Sequence, residues 1–437
     1  MAGGTFVTQN KVRPGAYFNF VSDSTLGTLG SRGIATFALK LSWGAAKEVL
    51  TINAGDDVRT LLGYNISDSQ LLLVREALKR AGTLLLYRLN AGIKAAATVG
   101  NLTATAKYGG VRGNDLKVIV QMNIDDNSKF DVRTLLQTDE MDKQTVSTAA
   151  DLVSNDWIDW SGSGSLTATA GSSLTGASDG TASNSDHTDY LTAVEVHDFQ
   201  VIALPSNDAT LKSVYVSFVN RLRDTEGHKI QLIVENYPTA NYEGVISVKN
   251  GVVLSDGMVL DSVSATAWVA GATAAAQVNQ SLTHQAYDDA IDVNPRYTNS
   301  QIEAALTNGE FLFTQNRGRA LVEQDINTLT AFTATKGKLF CKNRILRVLD
   351  AINNDLREIF DDFYDGKIDN NADGRNLLKN EFVNYLNMLQ SIGAIQNFDS
   401  QTDITAIQGD EADIVYIEVA VQPVDAVEKL YTKVKVR

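Results

Sequence analysis

The fold is decided by a stretch that starts with Phe199-Gln200-Val201-Ile202-Ala203-Leu204 and ends with Ile230-Gln231-Leu232-Ile233-Val234. Between these two apolar runs, residues Thr210 to Asp224 have the apolar spacing of a helix. Two strand-like runs on either side of a helix are typical of a parallel sheet, because parallel strands need a crossover connection. The stretch therefore predicts an α/β domain.

The same order of elements occurs earlier in the chain. Gly33 to Leu41 and Thr83 to Leu89 have the pattern of buried strands, and Asp56 to Arg80 between them has helical spacing. The intervening region 91–186 is different, because short Thr-, Val- and Ala-rich runs alternate there with turn residues. We therefore expect a discontinuous α/β domain, formed by residues 23–90 and 187–335, with an inserted β domain at 91–186.

The last hundred residues predict a separate α+β domain over 336–423. Apolar side chains between Cys341 and Tyr364 recur every three or four positions, which indicates an amphipathic helix, and Leu378 to Leu389 mark a second helix. Val415 to Val421 alternate as a strand that Pro423 ends. Lys433 to Arg437 alternate once more, so the chain is expected to end in a detached strand.

The two ends of the chain are short apolar segments that cannot form a sheet alone. We expect residues 1–22 and 424–437 to be linker arms, with flexible connectors at Pro14-Gly15 and at Pro423. A free strand leaves backbone groups unpaired, and pairing with another chain satisfies them. The residues predicted to make these intersubunit contacts are Tyr17, Phe18, Phe20, Val21, Leu430, Val434 and Val436.

Composition limits the classes of partner. The 437 residues include 52 acidic and 38 basic side chains, a formal net charge of −14, which disfavours nucleic acid and anionic membranes as partners. The single cysteine, Cys341, can form no intrachain disulfide and fits a reducing compartment. The N-terminal residues lack a secretion-signal pattern, and the apolar run Val263 to Ala276 is too short for a membrane span, so no membrane insertion is expected.

Motifs that would carry catalysis or metal binding are weak. Gly176-Ala177-Ser178-Asp179-Gly180 fits the G-x-S-x-G pattern of serine hydrolases but follows a Ser/Gly tract instead of a strand. Asp369 to Gly374 resembles half of an EF-hand loop, yet Asn380 occupies the position where a glutamate is required. The four histidines have no metal-ligand spacing. We therefore predict no catalytic, cofactor-binding or metal-binding residues.

Several segments resemble contractile tail sheath proteins of myophages, phage-tail-like bacteriocins and related injection machines. The resemblance is carried by Leu321 to Thr330 (LVEQDINTLT), Lys342 to Asp350 (KNRILRVLD) and Tyr364 to Arg375. Val424 to Val436, Gly3 to Phe6 and Arg13 to Tyr17 support it. It is weakest over residues 91–186.

The resemblance implies a structural subunit and no enzyme. Its α/β domain would be subtilisin-like but inactive, with a β-sandwich-like insert on the outer surface and terminal strands exchanged between subunits. Such subunits form hexameric rings stacked in a helix around an inner tail tube, in a metastable extended state, and contract to drive the tube through a cell envelope. The implied partners are further copies of the chain and the tube, baseplate and tail terminator proteins. The implied location is a virion tail or phage-tail-like particle, assembled in the host cytoplasm.

The helix from Cys341 has charges on the face opposite its apolar stripe. Arg344 and Arg347 lie near its start, and acidic residues lie near its end, which opposes the helix dipole. We expect Arg344 and Arg347 to be exposed and to contact the tube; a solvated face with intrachain salt bridges is an equal alternative. For the whole chain, the alternatives are a serine hydrolase on the α/β domain and a monomeric binding module.

Overall fold

The computed structural model describes residues 32–436 and, for the backbone alone, Ala2–Gly4 (β1) and Gly15–Tyr17 (β2), which pair in parallel. Three of the predicted contact residues, Phe18, Phe20 and Val21, lie outside the described residues, as does the side chain of Tyr17. The described chain divides into a larger unit, residues 32–353 with 423–436, and a smaller unit that contains residues 354–422.

The larger unit begins with elements that precede the predicted insertion point. They are β3 (Ile34–Leu39), β4 (Val49–Asn53), α1 (Arg59–Leu62), α2 (Leu72–Leu78) and β5 (Thr83–Arg88). The inserted region then contains β6 (Ala96–Val99), β7 (Leu102–Ala106), β8 (Leu116–Met122), β9 (Phe130–Leu136), β10 (Asp139–Val146), β11 (Ile158–Gly162) and β12 (Thr169–Ser173).

The chain then returns to alternating helices and strands. These are α3 (Asn184–Val194), β13 (Val201–Leu204), α4 (Ala209–Asn220), β14 (Gln231–Glu235), β15 (Val245–Val248), β16 (Gly251–Leu254), β17 (Val259–Leu260), α5 (Ser262–Ala275), β18 (Ala290–Asn294), α6 (Asn299–Thr307), β19 (Glu310–Phe311), β20 (Phe313–Asn316) and β21 (Arg319–Val322). The C-terminal elements are α7 (Asn343–Phe363), α8 (Ala372–Ser391), β22 (Ile395–Gln396), β23 (Ile404–Gln408), β24 (Val415–Val419) and β25 (Gln422–Pro423).

One sheet combines strands from before and after the insertion. Its order is β19-β15-β14-β13-β3-β5-β4, and neighbouring strands are parallel except for the edge strand β4. The apolar helix α5 is almost wholly buried in the core of this unit, which explains the apolar run at Val263 to Ala276. The predicted mixed α/β fold is confirmed.

The helix predicted over Asp56 to Arg80 is wrong in its extent. Only Arg59–Leu62 and Leu72–Leu78 are α-helical, because the backbone turns at Gly63 with a φ of 81°. A side chain at this position would also collide with the Trp43 side chain, since a Cβ there would lie 2.6 Å from the Trp43 Cβ and 2.7 Å from its Cγ. Glycine therefore ends α1 and lets the chain pass close to Trp43.

The inserted region has its own core between two antiparallel sheets, ordered β10-β9-β8-β12 and β11-β7-β6. Trp43, from the loop before β4, contributes to this core and stacks on Trp157 at 5.2 Å between ring centroids. The buried guanidinium of Arg88 donates to the carbonyls of Gly44 (2.6 Å) and Gly109 (2.7 Å). The insert is therefore packed and hydrogen-bonded to the α/β domain, beyond its two chain connections.

The smaller unit contains helix α8 and a short antiparallel hairpin, β23–β24. Inside the unit, the Tyr385 hydroxyl donates to Asp355 at 2.7 Å, and both side chains are buried. The side chain of Asn371 accepts a hydrogen bond from Gly374 N and caps α8, so the EF-hand-like stretch is a helix start. In the hairpin, Ile407 pairs with Tyr416.

Candidate intersubunit site

The C-terminal segment is attached to the larger unit through Glu428. The Glu428 carboxylate forms an ion pair with Lys342 and accepts hydrogen bonds from the Thr283 hydroxyl (2.9 Å) and from Gln324. Its side chain is only 11% exposed. Burial alone would raise the pKa of Glu428, but the hydrogen bonds from Lys342, Gln324 and Thr283 outweigh it and lower the pKa below its ordinary value. Glu428 is therefore ionised, and its ion pair and hydrogen bonds hold the C-terminal segment on the larger unit. We call Glu428 the anchor of this segment.

The anchor rests on a buried network around Asp325, which lies in the LVEQDINTLT stretch. The backbone N–H of Asp325 donates to the Thr283 hydroxyl at 3.0 Å, and the same hydroxyl donates to Glu428. The Asp325 carboxylate accepts from Leu282 N (2.9 Å), Asn343 Nδ2 (2.9 Å) and Arg347 (3.2 Å). This stretch therefore joins the start of α7 to the point where the C-terminal segment is held.

Beyond Glu428 the chain has no regular structure and is exposed. Within the described residues, positions 424–436 form neither helix nor strand. The predicted contact residues Leu430, Val434 and Val436 are 85%, 80% and 94% exposed. Exposed apolar side chains at alternate positions are unusual on a monomer surface, and their spacing is that of one face of a strand. The segment therefore has the side-chain alternation of a strand but pairs with no strand among the described residues.

The β23–β24 hairpin of the smaller unit is a sheet with open edges. In the described part of the chain its two strands pair only with each other. Ile407 and Tyr416 share one face and are both more than half exposed. Isolated two-stranded hairpins are at best marginally stable, and open strand edges accept further strands. The hairpin therefore has the properties of an acceptor for an added strand.

The expectation of two exposed arginines on α7 is wrong for Arg347. Arg347 is 1% exposed, because it is paired with Asp325 and also donates to the Gln280 carbonyl at 2.6 Å. Asp350, one turn further along, is held by a bidentate pair with buried Arg223 at 2.8 Å. Arg344 is half-buried, and its Nε has no hydrogen-bond partner among the described residues. The first turns of α7 thus pack within the larger unit. Of the two predicted contact arginines, only Arg344 has a side chain that another protein could reach.

The described residues do not assemble a hydrolase site. Ser178 lies in a bridge with Ile93, and the next helix, α3, begins only at Asn184. Asp179 accepts hydrogen bonds from Ser42 (3.0 Å) and from Val111 N (2.8 Å). Across residues 32–436, no cluster of three or more His, Cys, Asp or Glu side chains could hold a metal ion. No helix in the described ranges is long and apolar enough to cross a membrane.

Comparison with known families matches nearly the whole chain to tail sheath domains. Residues 32–89 match the tail sheath protein Gp18 domain III N-terminal region, and residues 90–179 the phage tail sheath β-sandwich domain. Residues 180–328 match the phage tail sheath central domain and residues 335–437 the C-terminal domain. The chain therefore belongs to the phage tail sheath family. It is a structural tail component of a phage or phage-like particle, and not an enzyme.

Individual relatives support the same family assignment. The solved sheath tail protein of Desulfitobacterium hafniense is 60% identical, with a TM-score of 0.88 over 97% of this chain and 100% of that one. Phage-like element PBSX protein XkdK of Bacillus subtilis is 42% identical over the full length of both chains. The helical sheath of the anti-feeding prophage, solved in a contracted state, is 14% identical with a TM-score of 0.56, covering 97% of this chain and 99% of that one, which shows a shared fold.

Sequence patterns missed the residues that hold the C-terminal segment in place. Glu428 and Thr283 are 145 positions apart, and neither belongs to a recognisable motif. The one available signal was the polar run Glu323-Gln324-Asp325 between apolar Leu321-Val322 and Ile326, because buried polar residues usually have specific partners.

Proposed function

We propose that this chain polymerises with copies of itself around an inner tail tube, in a metastable extended state, and contracts to drive the tube through a cell envelope. The observation that carries the proposal is the C-terminal segment after Glu428, which is exposed, has the alternating apolar side chains of a strand and pairs with no sheet among the described residues. A strand of this kind is satisfied by pairing with the sheet of another copy. Copies linked in this way form a continuous lattice.

The reach of the arm follows from the position of the anchor. Residues 429–436 follow Glu428 without regular structure, and eight extended residues span about 26 Å. The fixed end lies on the larger unit and the free end pairs with a neighbour. Subunits can therefore rotate and shift relative to one another while the strand pairing keeps them linked, which is what contraction of an intact lattice requires.

The N-terminal arm has the matching role in this proposal. Tyr17, Phe18, Phe20 and Val21 would contact a neighbouring copy, as Leu430, Val434 and Val436 do at the other end. The domain boundaries drawn from the sequence, the subtilisin-like topology of the large sheet and an outward-facing insert remain part of the proposal. The parallel strands of that sheet and the separate core of the insert support them.

The further partners are the inner tube, the baseplate and the tail terminator, with assembly as stacked hexameric rings in the host cytoplasm. Arg344 is the tube contact that we retain, because it is half-buried and without an ion pair in the described chain, whereas Arg347 is paired with Asp325. Replacing Arg344 by Glu should weaken co-sedimentation with the tube protein and leave sheath self-assembly intact. Unchanged tube binding would remove Arg344 from that interface.

Electron microscopy of the purified chain tests the proposal against its alternatives. Negatively stained samples at increasing concentration should show tubes or stacked rings of uniform diameter. Uniform monomers at every concentration would instead support a monomeric binding module. A serine hydrolase would react with a fluorophosphonate probe, and labelling that disappears in a Ser178→Ala variant would revive that alternative.

A further inference from the structure

We propose that residues 424–428 form a releasable strap, which is closed on the larger unit in the free subunit and opens when the C-terminal arm is pulled. The strap is defined as the segment between β25 and Lys429, and the arm as residues 429–437. The inference rests on the proposed linkage of copies through their arms and adds a device that changes the length of each link. The strap contact lies inside one subunit and does not depend on which surface of a neighbour the arm occupies.

Two acidic side chains attach the strap to the larger unit. Glu428 forms an ion pair with Lys342, and the ammonium of Lys342 also lies 4.0 Å from Asp425. Val427, between the two acidic residues, is 93% exposed and adds no apolar burial. The strap therefore depends on polar contacts that meet at Lys342.

The contacts of Glu428 lie near the surface, where water can replace them. The side chains of Lys342 and Glu428 are 17% and 11% exposed, so both reach solvent as soon as they separate. Ion pairs and hydrogen bonds in such places add little net stability, because water solvates the separated groups. The strap can therefore open while the subunit stays folded.

A pull on the arm reaches Glu428 before any other attached residue, because the arm starts at the next position, Lys429. The ion pair and the hydrogen bonds of Glu428 belong to one side chain, so they break together. An arm paired as a strand instead shares the load among several backbone hydrogen bonds along its length. We therefore expect the strap to open before the link between two copies breaks.

The site that receives Glu428 stays formed when the strap leaves. The Thr283 hydroxyl accepts a hydrogen bond from the backbone N–H of Asp325 at 3.0 Å. Asn343, next to Lys342, donates to the Asp325 carboxylate at 2.9 Å. These contacts do not involve the strap, so they keep the partners of Glu428 in position. Release is therefore reversible, and the strap is an element with two states.

Opening the strap lengthens the link. With the strap closed, the eight described residues 429–436 span at most about 26 Å from Glu428. With the strap open, the thirteen residues 424–436 span at most about 43 Å from Pro423. The gain of about 17 Å lets linked copies move relative to one another without losing their strand pairing. The strap is accordingly closed in one of the two sheath forms, extended or contracted, and open in the other.

Zero-length cross-linking of the native chain tests the strap. A carbodiimide activates the Glu428 carboxylate, and the deprotonated amine of Lys342 then displaces a urea and forms an amide, which requires the closed ion pair. Mass spectrometry measures the yield of this linked peptide in the unassembled chain, in the extended sheath on its tube and in the contracted sheath. We expect one sheath form to match the unassembled chain within about twofold and the other to give at least about tenfold less.

Three controls accompany the measurement. Lys47 and Asp186 form another partly exposed ion pair of the larger unit, and the yield of their link should be the same in all three samples. Glu428→Gln has no carboxylate and should give no linked peptide at this position. Glu428→Ala cannot close the strap. It should still form tubes because its arm is intact, and it should favour the sheath form in which the parent gives the low yield.

Two results would overturn the inference. One is an equal yield of the Lys342–Glu428 link in the two sheath forms, relative to the Lys47–Asp186 link. The other is a Glu428→Ala sheath with the parental balance of extended and contracted forms. A parent chain that forms no tubes would contradict the proposed function and overturn the strap with it. Normal tubes with equal yields would contradict the strap alone.

Discussion

Lys342, just before α7, forms an ion pair with Glu428, 86 residues later in the chain, and this pair fixes where the C-terminal arm leaves the subunit. The sequence predicts a flexible connector at Pro423. Lys342 also lies 4.0 Å from Asp425, so the chain is held against the larger unit on both sides of Ala426 and Val427. The free arm therefore begins at Lys429. It is shorter than the arm expected over residues 424–437, and the ion pair fixes the point where it starts.

Replacing Glu428 by Ala should release the segment between Pro423 and Glu428 without unfolding the subunit. The change removes an ion pair and two hydrogen bonds, and it leaves the ammonium of Lys342 without its main partner. Hydrogen exchange of amides 424–428 in the unassembled chain should become fast. Lys429→Ala, next in sequence but exposed, is the matched control and should change nothing. Slow exchange in the Glu428 variant would show that other contacts hold the segment.

The anchor should also depend on pH. The pKa of Glu428 in the folded chain lies below its ordinary value of 4.5, because its hydrogen bonds outweigh the effect of burial. The contribution of Glu428 to holding the C-terminal segment is therefore complete above about pH 4.5 and is lost as the pH falls through the lowered pKa. The anisotropy of a fluorophore at the C-terminus should drop in that range, and Glu428→Gln should remove the transition. An identical transition in both chains would assign it to another group.

Reversing the charge of Arg344 and that of Arg347, both in the first turns of α7, should have unequal effects on stability. Arg347→Glu places a second carboxylate beside buried Asp325 and should lower the free energy of unfolding by at least about 3–5 kcal/mol. Arg344→Glu alters a half-buried residue without an ion pair and should cost about 1 kcal/mol or less. Urea denaturation measures both. Equal losses would mean that Arg344 has a structural contact comparable to that of Arg347.

Removal of the insert should spare assembly only if the α/β-domain residues that lose their partners in the insert are replaced as well. Replacing residues 91–178 by a Gly/Ser linker exposes Trp43, which stacks on Trp157, and takes away the Gly109 carbonyl that Arg88 binds. We expect the simple deletion to be poorly soluble. The same deletion with Trp43→Ser and Arg88→Met should be folded and form tubes in electron micrographs. A repaired chain that is folded but forms no tubes would place the insert in the lattice contacts.

Regular elements with strong periodicity were predictable from the sequence, and long-range polar contacts were not. The strands Val201–Leu204 and Gln231–Glu235 follow the predicted runs within two residues, because buried parallel strands need continuous apolar sequence. Helix α7 was also expected. Arg347 was misjudged because periodicity shows only which positions are apolar. It cannot show that Asp325, 22 residues earlier, lies opposite a charged position and allows its burial.

The central claim is that the C-terminal arm links one copy to the next. The most direct measurement compares the full chain with a chain that ends at Pro423, by sedimentation velocity and negative-stain electron microscopy at matched concentrations. The account predicts that the shortened chain retains its circular dichroism spectrum and remains in small, soluble species, while the full chain forms tubes. Tubes of normal length and diameter formed by the shortened chain would contradict it.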